Sequence, residues 1–411
     1  MWDQGQRVLE ITELLNLIVH ELDGKEQCKL MLVSKYFFYS VGPMIWKKVP
    51  RLDFVLRLIK DTKVRSENPG NSEGAYHEFT RITIMLPSNP DLSRYYIYAP
   101  WVQELEIFGG CSQEIYYAHP FLTLLCGRAP LPNLRKLTTH TGADNMRSKL
   151  LMDLINIFVC PSLIEIRTIF HKKGRSTYIY PSSVLDFLKK VQDTCPQIQV
   201  LELYSGTRFH YNSPEPFPFS HQCCEVLKSF SYLRSFTSTT RILESETFEI
   251  LGNLPQLELL GIRGSRMDYP VLDERLSISS NWFKQLIDLR LYDLHPQDIK
   301  VLWAQPPLVK KLGSTLIQTD PTISPKPFDE SLDGNVWIDS FLTALPSLTP
   351  DLHDLTFNVG DENGTSFQIS EGVKNNLHSL KLKTLKIKLN NTYNIDEGPE
   401  CDGYDGGEYH G

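Results

Sequence analysis

The chain has 411 residues, 41% of them hydrophobic, and a formal net charge of −7, so it can bury a large core and is too apolar to be disordered throughout. No stretch approaches the ~18 uninterrupted apolar residues of a membrane span, and the opening MWDQGQRVLE lacks the basic end and apolar core of a signal peptide. The expected compartment is therefore cytoplasm or nucleus, with no membrane partner; the eight cysteines show no CxxC pair or zinc spacing, which speaks against a disulfide scaffold or a metal site.

In chain order, Ile11, Leu14, Leu15, Ile18 and Leu22 share one helix face, which Asp23-Gly24 interrupts. A second apolar group, Leu30, Leu32, Val33, Phe37, Phe38 and Val41, continues at helical spacing, and Pro43, Ile45, Trp46 and Val49 close the unit. Residues 1–50 thus read as a small all-helical module that would be marginal alone. Residues 51–78 read as a connecting helix and linker, and FTRITIML (Phe79 to Leu86) as the first strand of the body.

The body, 79–390, carries an internal repeat: an apolar residue, two variable residues, an apolar residue, one variable residue and a third apolar residue, often introduced by Pro or Cys-Pro. It is clearest in CPQIQVLEL (Cys195 to Leu203), LPQLELLGI (Leu254 to Ile262), FKQLIDLRL (Phe283 to Leu291) and TPDLHDLTF (Thr349 to Phe357), and weaker copies lead with Val102, Leu134, Leu163, Leu233 and Leu382. The leading residues are spaced by 32, 29, 35, 35, 24, 29, 66 and 30, so the long interval predicts a degenerate copy at Leu312 to Ile317. Period-two alternation makes each LxL run a strand, and the intervening stretches have helical spacing, as in Val184, Leu185, Leu188 and Val191 behind Ser182 and Ser183. Such strand–helix units cannot bury their own apolar faces and must stack, which predicts an α/β solenoid of parallel strands. Cys160-Pro161 and Cys195-Pro196 occupy the same place in two copies, which favours a structural role for these thiols.

The segment 391–411 contains Asp396, Glu397, Glu400, Asp402, Asp405 and Glu408 without Lys or Arg, and reads as an acidic, Gly-rich disordered tail. With six of the seven net negative charges there, the rest is nearly neutral, which argues against nucleic acid as a partner. P-loop, dinucleotide, GxSxG and HExxH signatures are missing, so the expectation is a non-enzyme with no cofactor.

From Ile11 to Val49 the chain resembles the F-box family, in the fungal, basidiomycete-like form that precedes irregular leucine-rich repeats. The match rests on Glu13-Leu14-Leu15, Ile18, Leu22-Asp23, Leu32-Val33-Ser34-Lys35 with Phe37, and Pro43 with Ile45-Trp46; Ile11-Thr12 stands where the family has Leu-Pro, and Gln27 where it has an apolar residue. The resemblance implies a substrate-recognition adaptor of an SCF-type ubiquitin ligase, bound to a Skp-type linker and through it to a cullin. Ile11, Leu14, Leu15, Ile18, Leu32, Val33, Phe37 and Trp46 are then docking or module-core candidates. The alternative is a leucine-rich-repeat scaffold with no ligase link, its N-terminal helices acting only as a cap. In either case the variable positions of the strands predict an exposed ladder for an unknown protein substrate, with Glu106, Phe108, His140, Arg167, Glu202, Tyr204, Arg263, Arg290 and Tyr292 as its candidates and Thr138, Ser235, Thr237 and Thr239 among its rungs.

Overall fold

The computed structural model describes residues 11–67, 80–107, 111–141, 155–170, 181–204, 219–264, 270–273, 275–319, 334–359 and 370–388. The chain is α/β, with parallel strands and intervening helices, and divides into two compact units, Met1–Glu258 and Leu259–Gly411.

The first unit opens with three helices, α1 (Thr12–His20), α2 (Gly24–Met31) and α3 (Lys35–Ile45). Asp23 and Glu26 form a reciprocal capping box at the start of α2, and the Ser34 hydroxyl caps α3 by accepting the Phe37 amide, so both breaks are written in the sequence. Strand β1 (Lys48–Val49) follows at once and begins a parallel ladder, continued by β4 (Glu104–Ile107), β6 (Lys136–Thr141), β7 (Glu165–Phe170), β8 (Val200–Glu202) and β9 (Ser235–Thr239). Helices α7 (Pro181–Thr194), α8 (His221–Lys228) and α9 (Ser245–Asn253) lie between the later strands, and Val184, Leu188 and Val191 of α7 are buried as their spacing predicts.

One expectation is corrected here. FTRITIML is not the first strand of the ladder: β3 (Thr80–Met85) pairs antiparallel with β2 (Lys63–Glu67) and parallel with β5 (Cys111–Tyr116) in a separate three-stranded sheet. Alternation fixes which face of a strand is buried, and Ile82 and Ile84 are fully buried, but it does not name the partner strand. Prolines 161 and 196 stand ahead of their strands, in tight turns. The amides of Leu163 and Ile198 return to the carbonyls of Cys160 and Cys195, which makes each Pro the second residue of a tight turn, where its fixed φ is favoured.

The second unit holds β10 (Leu259–Arg263), β11 (Asp288–Tyr292), β12 (Ser314–Thr319), β13 (Asp354–Val359) and β14 (Thr384–Lys388), parallel and in chain order. β12 is the degenerate copy expected inside the long interval. Before β11 the loop around Val271 to Ile278 is held by one helix, α10 (Pro296–Trp303). Buried Asp298 accepts the amides of Val271 and Leu272 (2.8 to 3.2 Å), and Gln305, just past the helix, accepts Ile278 N and donates to Leu276 O.

One backbone device recurs through both units. The carbonyl just before a strand accepts two successive amides where the next strand begins: Lys47 O from Gln103 and Glu104, Gln103 O from Arg135 and Lys136, and Arg135 O from Ile164 and Glu165. In the second unit Ile287, Gly313 and His353 do the same. Each strand of the parallel ladders from β4 on starts two residues after its leading apolar residue, so Leu134 precedes Lys136 and Leu352 precedes Asp354. By that rule Trp46, two residues ahead of β1, fills the leading position of a first copy that the apolar pattern alone did not show.

A candidate protein-docking site

The three-helix module has a compact core of Leu15, Val19, Met31 and Val41, flanked by Leu30, Phe37, Phe38, Met44, Ile45 and Trp46. Gln27 ties α2 back to the end of α1, where its Nε2 donates to Leu22 O and to Val19 O, each at 2.9 Å, the latter also accepting the Leu22 amide. An apolar residue there would remove both of these bonds.

The core is joined to the rest of the first unit by an aromatic seam. The Phe38 and Trp101 rings meet edge to face at 5.4 Å, Trp46 lies 4.7 Å from the Tyr98 ring, and Tyr98 and Trp101 touch at 5.1 Å. Gly42 makes the approach possible, since a Cβ there would sit 2.5 Å from Trp101 Cζ3. Asp53 of α4 (Leu52–Leu56), fully buried, then takes a two-pronged hydrogen bond from Arg51 (3.0 and 3.1 Å) and a third from Arg57 (3.3 Å), fixing the chain just beyond the module.

What the core does not use is a stripe of large apolar side chains on the same helices. Ile11 is 47% exposed, Leu14 37%, Leu17 64%, Ile18 41%, Leu32 85% and Val33 67%. Ile11, Leu14 and Ile18 stand one above another on α1, next to the buried pair Leu15 and Val19. Single exposed leucines are ordinary, whereas six large apolar side chains within 23 residues of a small module are more than scattered exposure. The eight candidates therefore divide: Leu15 is core, Phe37 and Trp46 are half-buried against it, and Ile11, Leu14, Ile18, Leu32 and Val33 face out. Leu17 is an addition that the spacing rule passed over because it lies off the main stripe.

The outward strand face is less open than expected. In the first unit Lys48 pairs with Glu106 at 3.3 Å, and Arg167 reaches Glu165 at 2.9 Å and Glu202 at 3.5 Å, while Glu202 also accepts the Thr168 amide. Tyr204 is buried, as are Thr138, Ser235, Thr237 and Thr239, contrary to the exposed ladder. Strands ~4.8 Å apart let long neighbours shade short hydroxyl side chains, which alternation alone does not reveal. In the second unit Arg263 lies 3.2 Å from Asp293 and 4.6 Å from the Tyr292 ring, and Arg290 is paired with Asp288. Phe108 and the side chain of His140 lie outside the described residues.

The Cys-Pro thiols serve the packing. Cys195 Sγ donates to Cys160 O, and Cys160 Sγ to Leu134 O, and burial pushes the Cys195 thiol up to about 12, so neither is poised as a nucleophile. Among the described residues no group of three or more His, Cys, Asp or Glu is placed to hold a metal ion, and no helix is long and apolar enough to cross a membrane.

No family model and no curated protein matches the sequence. Among solved structures, a chain of the Toll–Spatzle complex, described as a molecular hub in Drosophila development and innate immunity, aligns with 13% identity over 78% of this chain and 49% of that one, at a TM-score of 0.23. The present chain thus spans about half the length of that neighbour.

Proposed function

We propose that this protein is a substrate-recognition adaptor of an SCF-type ubiquitin ligase, in which the N-terminal helices dock a Skp-type linker and the strand-and-helix copies, read as irregular leucine-rich repeats, hold a protein substrate. The observation that carries the reading is the division of labour on α1: Leu15 and Val19 close the core while Ile11, Leu14 and Ile18 remain exposed, as do Leu32 and Val33 beyond α2. A helix that served only to close the first copy would bury its whole apolar surface. The aromatic seam favours the second reading, a capped scaffold without a ligase link, since it shows the module built onto the body.

Capture of a purified Skp-type linker separates the two. On the adaptor reading the native chain retains the linker and the Leu14→Asp/Ile18→Asp variant, folded by circular dichroism, loses at least a hundredfold in affinity, because two charges would have to be desolvated in the interface. Failure of the native chain to bind any such linker leaves the capped scaffold.

A further inference from the structure

The last strand, β14, ends the ladder, and among the described residues nothing pairs with its outer edge. The apolar face is open there: Leu385 is 49% exposed and Ile387 half-buried, whereas Leu355 and Phe357, beside them in register on β13, are fully buried. Thr384 N donates to His353 O, so by alternation Lys386 also turns its backbone toward β13, and the N–H and C=O groups of Leu385 and Ile387 point to the open edge. The edge is also basic. Lys381, Lys383 and Lys386 are exposed and, among the described residues, in no ion pair, while Glu371, the one acid between residues 370 and 388, is taken up by Lys374 at 3.2 Å.

We propose that the outer edge of β14 takes up an extended segment of a partner protein in which apolar and acidic residues alternate. The backbone dictates that pattern. A strand added in either direction places two residues opposite Leu385 and Ile387, where apolar side chains extend the core face, and the residue between them opposite Lys386 on the other face, where an acid pairs with the lysine. A second copy of β14 does not meet this demand. The antiparallel register that matches Leu385 with Ile387 sets Lys386 against Lys386, and the one that matches Leu385 with itself sets Ile387 against Lys383. Exposed lysines on an edge strand thus turn away like edges and admit an acidic one. Such docking requires no linker on the N-terminal helices, so it stands or falls apart from the ligase reading.

The test is amide exchange resolved to single residues in the full chain, alone and with a capped synthetic peptide of alternating isoleucine and glutamate. With the peptide the Leu385 and Ile387 amides are expected to exchange at least tenfold more slowly, while the Lys386 amide, already turned to β13, changes little. A peptide of alternating isoleucine and lysine is expected to protect neither edge amide. The Lys383→Glu/Lys386→Glu chain, altered only at exposed positions and checked for fold by circular dichroism, is expected to reverse that choice. Unchanged exchange at Leu385 and Ile387 with the glutamate peptide overturns the proposal, and so does equal protection by the two peptides, which marks apolar adhesion without charge recognition. Protection already present in the chain alone also overturns it, in favour of a second copy if it rises with protein concentration and of a chain that covers its own edge if it does not.

Discussion

His295 caps α10 in an unusual way: its Nδ1 accepts the Gln297 amide at 3.0 Å, which only the unprotonated nitrogen can do. Burial lowers its pKa from the ordinary 6.5, and the helix N-terminus opposes a positive charge in the same place, while Asp298 on the first turn favours one. A histidine whose folded pKa is depressed stabilises the fold above its unfolded value, and that contribution is lost as pH falls from about 6.5 through the lower folded value. The melting temperature is therefore expected to drop more between about pH 7.5 and 5.5 in the native chain than in His295→Ser, whose hydroxyl caps without titrating. Parallel slopes would mean that His295 adds nothing to the pH dependence. The sequence showed none of this, because a cap is recognised from Ser, Thr, Asp or Asn and His is not among them. Gln27 was hidden for the same reason: it reads as a misplaced polar residue until the Val19 and Leu22 carbonyls come into view.

At the scale of elements, the apolar pattern located the strands well, since a leading residue such as Leu134, Leu163 or Leu286 sits two positions ahead of each one. It failed where a strand is too short to alternate, as in Lys48–Val49, and where pairing departs from chain order, as in the separate sheet of β2, β3 and β5. The exposed ladder was misjudged at Thr138 and Thr237 because shading depends on the length of neighbours across the sheet. The joint between module and ladder depends on Gly42, whose missing side chain admits the Trp101 ring. Gly42→Ala is expected to cost roughly 1–3 kcal/mol by overpacking and to alter the near-ultraviolet dichroism of the tryptophans, measurable as a lowered midpoint in denaturant. An unchanged midpoint would mean that the ring shifts without cost and that the seam is looser than its distances suggest.

For the whole molecule the decisive contrast is between neighbouring side chains on α1. Leu15→Asp is expected to lower the melting temperature by several degrees, because it buries an unpaired charge in the module core, whereas Leu14→Asp/Ile18→Asp is expected to leave it within about 2 °C. If thermal scans show equal losses, the exposed stripe is structural and the docking reading falls with it. The shared apolar face of the first helix was thus readable from helical spacing, while its division into core and surface required the packed structure. The strand-leading carbonyls that each take two amides carry a different consequence. Because alignment from one copy to the next is held by backbone groups and a single apolar residue, the segments between strands are under little obligation to keep their length. Copies spaced from 24 residues (Leu233 to Leu257) to 56 (Trp46 to Val102) coexist in one chain, so loop residues can be added or removed there while the ladder survives. Such drift erodes the repeat signal in the sequence faster than it erodes the fold.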